Sequence, residues 1–310
     1  MNTLATPRII FMGTPEFAVA SLDALVQAGY NIVGVVTAPD KPAGRGMKLT
    51  ESAVKKYAVE HSLKLLQPEK LRNPEFIAEL ESLKADLQVV VAFRMLPEKV
   101  WNMPPLGTIN VHGSLLPQYR GAAPINWAVI NGEKETGVTT FKLKHEIDTG
   151  DILLQESFPI GENETAGEVH DKMKDIGAAL LVKTIKALTE GTLKEQPQLM
   201  SEHIAHAPKI FTETCKIDFS KPVQQVHNLI RGLSPFPGAF TSLQGKMLKI
   251  YRSEIANASH ANLPIGSFET DSKTYLRFVC ADGLLDVKEL QLEGKKKMTT
   301  EDFLRGYRFE

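Results

Sequence analysis

Residues 86–93 are nearly all apolar, with Val89, Val90 and Val91 in succession. A strand with one wet face alternates polar and apolar residues. A strand without a polar face must be covered on both sides, as in a parallel sheet layered between helices. The flanking segments supply the helices. Arg8-Ile9-Ile10-Phe11-Met12 predicts a strand that runs into Gly13-Thr14-Pro15-Glu16. There Thr14 is expected as the N-cap, Pro15 as the first helical residue and Glu16 as the acid facing the helix dipole. That helix should reach Ala28 and stop at Gly29. Further strands are expected over 31–37, 63–66 and 106–112, and helices over 53–60, 74–83 (capped by Asn73), 124–129 and 166–188. This alternation predicts an α/β domain over residues 1–190, with a Rossmann-like, doubly wound parallel sheet. Its first turn has one glycine. The dinucleotide fingerprint G-x-G-x-x-G is missing there and G-x-x-x-x-G-K-[ST] is missing everywhere, which argues against an NAD enzyme or a nucleoside triphosphatase.

The pattern changes after residue 190. Residues 191–209 are polar and proline-bearing, as a surface linker would be. Beyond them, short alternating segments at 216–219, 239–243, 247–252, 275–280 and 284–292 predict a small β-barrel (OB-like) domain over 210–310. One helix over 223–230 flanks it, and a last one opens near Thr299-Thr300-Glu301-Asp302. The 310 residues suit two domains, and no apolar run approaches the ~18 residues a membrane span needs. The start lacks a secretory pattern, so a cytoplasmic protein without a membrane partner is expected. Cys215 and Cys280 lack metal-ligand spacing and are expected as free core thiols. With a net charge of −1, any nucleic-acid partner must be met by a local basic patch.

The chemistry concentrates in Asn110-Val111-His112-Gly113-Ser114-Leu115-Leu116-Pro117, answered further on by Asp148-Thr149-Gly150. Asn110 and His112 are two apart on a predicted strand, so their side chains point the same way. They stand where the strand ends, the place where open α/β sheets hold ligands. An amide donor, an imidazole and a remote carboxylate suit acyl or formyl transfer to an amine without a covalent intermediate. Asn110 and His112 can donate to a developing oxyanion, while Asp148 can orient His112 or pass a proton through water. A neutral amine needs little activation near pH 7, so neither a metal nor a serine or cysteine nucleophile is called for.

These motifs, with Met12-Gly13-Thr14-Pro15-Glu16-Phe17-Ala18, Pro39-Asp40-Lys41-Pro42-Ala43-Gly44-Arg45-Gly46, Arg120-Gly121-Ala122-Ala123-Pro124 and Pro235-Phe236-Pro237-Gly238-Ala239, resemble the methionyl-tRNA formyltransferase family from end to end. The resemblance implies that Asn110, His112 and Asp148 are catalytic and that Ser114, Leu115, Leu116 and Pro117 line a folate site. It also implies that backbone over 92–96, including Phe93, Arg94 and Met95, contacts the pterin. The implied co-substrate is 10-formyltetrahydrofolate, the implied partner is initiator methionyl-tRNA bound in part by residues 210–310, and a monomer is expected.

The basic loop with Lys41, Arg45 and Lys48 separates close relatives. Its glycines and cations suit the phosphates of an acceptor stem better than a small substrate. Lys295-Lys296-Lys297 forms a weaker basic cluster. The competing readings are a formyltransferase for a nucleotide-linked amino sugar, which would not need the basic loop, and a non-catalytic RNA-binding protein, which would not need Asn110, His112 and Asp148 together.

Overall fold

The nearly all-apolar strand expected over 86–93 occupies the centre of a seven-stranded sheet. A computed structural model describes residues 6–43, 48–199, 204–257 and 263–309, with the side chains of Ala43 and Lys48 outside the description. In chain order the first elements are β1 (Arg8–Gly13), α1 (Glu16–Gln27), β2 (Asn31–Val36), β3 (Lys41–Ala43), β4 (Lys48–Thr50), α2 (Ala53–Glu60), β5 (Leu65–Leu66), α3 (Pro74–Ser82), β6 (Leu87–Val91), α4 (Glu98–Trp101) and β7 (Thr108–His112). They are followed by β8 (Arg120–Gly121), α5 (Pro124–Ile130), β9 (Glu135–Lys142), β10 (Ile152–Pro159), α6 (Ala166–Thr189) and β11 (His206–Ala207). The rest are α7 (Val223–Gly232), β12 (Ala239–Leu243), β13 (Lys246–Ala256), β14 (Phe268–Thr270), β15 (Leu276–Val279), β16 (Leu284–Leu292), β17 (Met298–Thr299) and α8 (Thr300–Gly306).

The chain forms two compact units. One comprises residues 1–120, 137–157 and 171–205; the other comprises 121–136, 158–170 and 206–310. In the first, the strand order is β10-β9-β7-β6-β1-β2-β5. The pairings β5–β2–β1–β6–β7 are parallel and β7–β9 is antiparallel, so the doubly wound sheet carries a reversed edge. All five residues of β6 are buried. Ile10, Met12, Val36, Leu80, Val90 and Val100 form a core beside it. Gly13 ends β1 because a Cβ there would stand 2.6 Å from the Cβ of Ala18 and 3.1 Å from the Val91 carbonyl. α1 can close on the sheet only over a bare backbone. The cap of α1 differs from expectation: Pro15 takes the cap position without a side-chain hydrogen bond, and Thr14 lines a pocket instead. Asn73 caps α3 as expected, accepting from the Glu75 amide at 3.0 Å.

In the second unit the antiparallel strands run in the order β12-β13-β16-β15-β14, with β17 beside β16. The sheet curls into a half-barrel, in keeping with the small barrel-like domain expected of the C-terminal region. α7 lends Val226 and Ile230 to a core with Leu248, Ile250, Phe278, Val287 and Leu290. Residues 216–219, expected as a strand, make a single parallel bridge between Lys216 and Phe240. β9 and β10, to which the sequence reading assigned no strand, are hidden for a physical reason. Residues 136–141 of β9 are all buried, so polar threonines alternate with nothing and no period of two emerges. Among the described residues no helix is long and apolar enough to cross a membrane.

Candidate active site

β7 ends at His112 and holds Asn110 two residues earlier, so both side chains leave one face of the sheet. Asn110 stands opposite Phe141 of β9, and His112 opposite Thr139. Directly opposed residues share a face, which puts Phe141 beside both. Its ring meets the His112 ring edge-on, with centroids 6.4 Å apart. Against this face lies the turn that carries Asp148. A Cβ on Gly150 would fall 1.6 Å from the Lys142 carbonyl oxygen and 3.2 Å from Phe141 Cδ2, so only glycine lets the turn sit so close. The result is a buried imidazole–carboxylate pair, with His112 Nδ1 3.8 Å from Asp148 Oδ2.

The proton positions on His112 follow from its partners. Nε2 lies 2.9 Å from the Tyr119 carbonyl oxygen, which can only accept, so Nε2 carries a hydrogen and donates it. Nδ1 is the edge left for proton exchange, and it faces Asp148. The tautomer expected to be held by Asp148 is thus held by the Tyr119 backbone. The half-buried Asn110 amide makes no side-chain hydrogen bond among the described residues, which leaves both of its donors for a reacting group.

The residues after His112 form a braced loop. Thr139 Oγ1 donates to the Ser114 carbonyl at 2.7 Å and accepts from the Leu116 amide at 3.1 Å. Gln155 Nε2 bridges the Leu116 carbonyl and Thr139 Oγ1, both at 2.9 Å. Ser114 is fully buried, and its hydroxyl donates to the Gln118 carbonyl at 2.6 Å. Leu116 is buried too, whereas Leu115 and Pro117 are half-buried. Of the four positions, the side chains of Ser114 and Leu116 therefore support the loop, and those of Leu115 and Pro117 reach its surface.

A second cluster forms at the carboxyl ends of β1, β2 and β6. Thr14, Ala38, Pro39, Lys41, Glu69 and Arg94 line a pocket of about 410 Å³. It lies where the strand order turns from β1 toward β2 on one side and β6 on the other, the switch point of this sheet type. Arg94 Nη1 donates to the Glu69 carbonyl at 2.8 Å, Nη2 donates to the Pro68 carbonyl, and the guanidinium lies 5.5 Å from the Phe93 ring centre. Burial lowers the Arg94 pKa below its ordinary value. Phe93 is half-buried and Met95 is 72% exposed. The basic loop is not a simple loop: β3 and β4 pair as a short antiparallel hairpin, with Ala43 opposite Lys48. At its base Asp40 accepts from Lys55 at 2.5 Å and from Gln67 at 2.9 Å. Those hydrogen bonds, that from Lys55 foremost, hold the Asp40 carboxyl below its usual range. Lys41 is exposed on the pocket rim, whereas Arg45 and the Lys48 side chain lie outside the described residues.

Two residues that hold the Asp148 turn escaped the sequence reading. Gln198 belongs to the segment read as a linker, and Arg120 was noted only as part of a motif. Both are joined to the turn through hydrogen bonds. No spacing signal marks Gln198, because its partners are two backbone carbonyls and a side chain 78 residues away in sequence. Among the described residues no group of His, Cys, Asp and Glu is placed to hold a metal ion.

Comparison with known proteins fits this geometry. Residues 7–185 match the formyl transferase family model and residues 209–308 match the formyl transferase C-terminal domain. Methionyl-tRNA formyltransferase of Bacteroides fragilis is 54% identical over 308 residues, covering 97% of this chain and 95% of the relative. That of Phocaeicola vulgatus is 56% identical over 311 residues, covering 97% and 96%. Among solved structures, the N-formyltransferase of Helicobacter canadensis in complex with folinic acid and dTDP-3-aminofucose superposes with a TM-score of 0.68. It is 22% identical, with 94% of this chain and 100% of that one covered, a likeness of fold. At this identity to full-length relatives, and with both domain models matched, the chain belongs to the methionyl-tRNA formyltransferase family.

Proposed function

We propose that this chain transfers the formyl group of 10-formyltetrahydrofolate to the α-amino group of methionyl initiator tRNA, with Asn110, His112 and Asp148 at the reacting centre. The observation that carries the reading is the buried approach of His112 Nδ1 to Asp148 on the face that also presents the unengaged Asn110 amide. The neutral amine attacks the formyl carbon, a new C–N bond forms, and the carbonyl oxygen becomes an oxyanion. Asn110 donates to that oxyanion, which a fixed dipole stabilises in the transition state more than in the ground state. The attacking nitrogen gives up its surplus proton to the His112–Asp148 pair. The bond to the folate nitrogen then breaks, and that nitrogen takes a proton. The Nε2 hydrogen bond to the Tyr119 carbonyl orients the His112 ring with Nδ1 toward Asp148.

The folate supplies the activated formyl group. The residues at hand fit it: the Phe93 ring, Leu115 and Pro117 offer half-buried apolar surface to a flat heterocycle. Exposed Ala92, with φ +47°, follows the end of β6 directly before Phe93. Lys41, with Arg45 and Lys48 close to it in sequence, is the contact for acceptor-stem phosphates, and residues 210–310 add tRNA-binding surface. The protein is proposed to act as a cytoplasmic monomer.

The test is transfer of labelled formyl from 10-formyltetrahydrofolate to charged initiator tRNA, beside the same assay with a nucleotide-linked amino sugar. Wild type should label the tRNA alone. A folded His112→Ala variant should lose at least ~100-fold in kcat, the scale of a lost acid–base or oxyanion group. Labelling of the sugar in place of the tRNA would overturn the substrate, and near-normal turnover by the variant would overturn the residue roles.

A further inference from the structure

The Asp148 turn is held by a side chain from a segment that contributes nothing to the sheet's parallel core. Gln196 pairs with Ile152 through backbone hydrogen bonds of 2.8 and 2.9 Å, which lays the chain along β10. Two residues later, Gln198 Nε2 donates to the carbonyl oxygens of Asp148 and Gly150, each at 2.8 Å. Its Oε1 accepts from Arg120 Nε at 3.1 Å and Nη2 at 2.6 Å. Both amide hydrogens and the amide oxygen are thereby engaged.

The turn has reason to need such a clamp. Asp148 has φ +55°, in the left-handed region that costs a non-glycine residue about 1 kcal/mol or more. Such a conformation persists only where its surroundings impose it. Gln198 ties the carbonyls on either side of Thr149, and Arg120 fixes Gln198. Tyr119, the residue before Arg120, sets the His112 tautomer through its carbonyl. One stretch, 119–120, therefore fixes His112 directly and Asp148 through Gln198.

We propose that Gln198 is a positioning residue for Asp148: its carboxamide holds the 148–150 turn against the face that carries His112, and so sets the distance over which the proton moves. This rests on the reading of Asp148 as part of the proton-accepting pair. Gln198→Glu keeps an acceptor for Arg120 but replaces the NH2 group, both of whose hydrogens donate, with a single oxygen facing the two carbonyls, and so isolates the donor role from the tie to Arg120.

The experiment measures kcat and both KM values for Gln198→Glu and Gln198→Ala, each in the wild-type and the Asp148→Asn background. Thermal unfolding confirms the fold. A misplacement near 1 Å at a reacting group costs about 100-fold in rate, so kcat should fall by about 10- to 100-fold, with KM for folate and tRNA within about twofold. In the Asp148→Asn background neither substitution should lower kcat further, because Gln198 acts through the carboxylate. Wild-type kcat in both Gln198 variants, or an equal fold loss in the two backgrounds, would overturn the proposal. Full kcat in Asp148→Asn alone would instead overturn the role given to Asp148.

Discussion

Gly150→Ala tests the placement of the carboxylate without touching a polar group. The added Cβ would stand 1.6 Å from the Lys142 carbonyl oxygen and 2.8 Å from its carbon, with Phe141 Cδ2 at 3.2 Å. Carbon and oxygen come no closer than about 3.3 Å even in favourable C–H···O contacts, so the turn must withdraw by roughly 1.7 Å. β9 does not readily yield in its place, since its residues 139–142 pair with β7 and residues 136–141 are buried. Asp148 is two residues away and moves with the turn, which widens a gap to His112 that is already 3.8 Å. A displacement of that size at a proton-transfer group costs about 100-fold or more in kcat. Overpacking removes about 1–3 kcal/mol of stability. Neither substrate's KM should change more than about twofold. The assay is steady-state formyl transfer at saturating folate, with thermal unfolding alongside. Gly306→Ala is the control, because nothing lies within 4 Å of a Cβ there and it ends α8. Full activity and an unchanged melting temperature for Gly150→Ala would refute the reasoning.

Two further expectations concern pH and the second unit. His227 is 2% exposed; its Nε2 donates to the Glu162 carbonyl at 3.4 Å and its Nδ1 accepts from the Ser253 hydroxyl at 3.0 Å, so the neutral ring is satisfied. Burial foremost, with Arg231 nearby, lowers its pKa below 6.5. The unfolded chain then binds the proton first, so stability falls as pH drops below about 6.5. Melting temperature against pH should show that fall, and His227→Gln should reduce it; an undiminished fall would count against the buried neutral ring. For Glu168, burial pushes the carboxyl up, but hydrogen bonds from Arg252 at 2.7 Å and from the Thr165 amide and hydroxyl win, holding it at about 2. Its stabilisation is present above the ordinary value of 4.5 and is lost as pH falls toward 2. Because the pair is partly exposed, Glu168→Gln should cost only about 1 kcal/mol at neutral pH. That cost should shrink as pH falls from about 4.5 and vanish in acid unfolding below about pH 2, and a cost independent of pH would contradict the assignment.

The elements legible in the sequence are those whose physics is local. β6 could be read because burial on both faces leaves a run apolar but for Gln88, and α3 because Asn73 and Pro74 mark its start within two residues. Asn110 and His112 could be paired because a strand has a period of two. The strand order of the half-barrel is not legible in this way, because it depends on pairing between distant strands, which no segment records by itself. Thr14 misled for a related reason. A threonine before Pro15 satisfies the local cap rule, yet the site at the end of β1 exposes it to the pocket.

The same distinction explains the site. What makes Asp148 a partner of His112 is the reversed strand beside β7. Antiparallel pairing sets Asn110 opposite Phe141 and His112 opposite Thr139, so residues that follow β9 can fold back over the face bearing the imidazole. A parallel strand at that edge would need a crossover of a dozen or more residues before its neighbour, and the short return to Asp148 would be lost. Thr139 then serves two ends of the site from one position. Its backbone fixes the register against His112, and its hydroxyl braces Ser114 and Leu116 in the loop that leaves His112. The spacing between the histidine and aspartate motifs is thus the length of chain needed to leave β7, pass through α5, return along β9 and turn back on the same face.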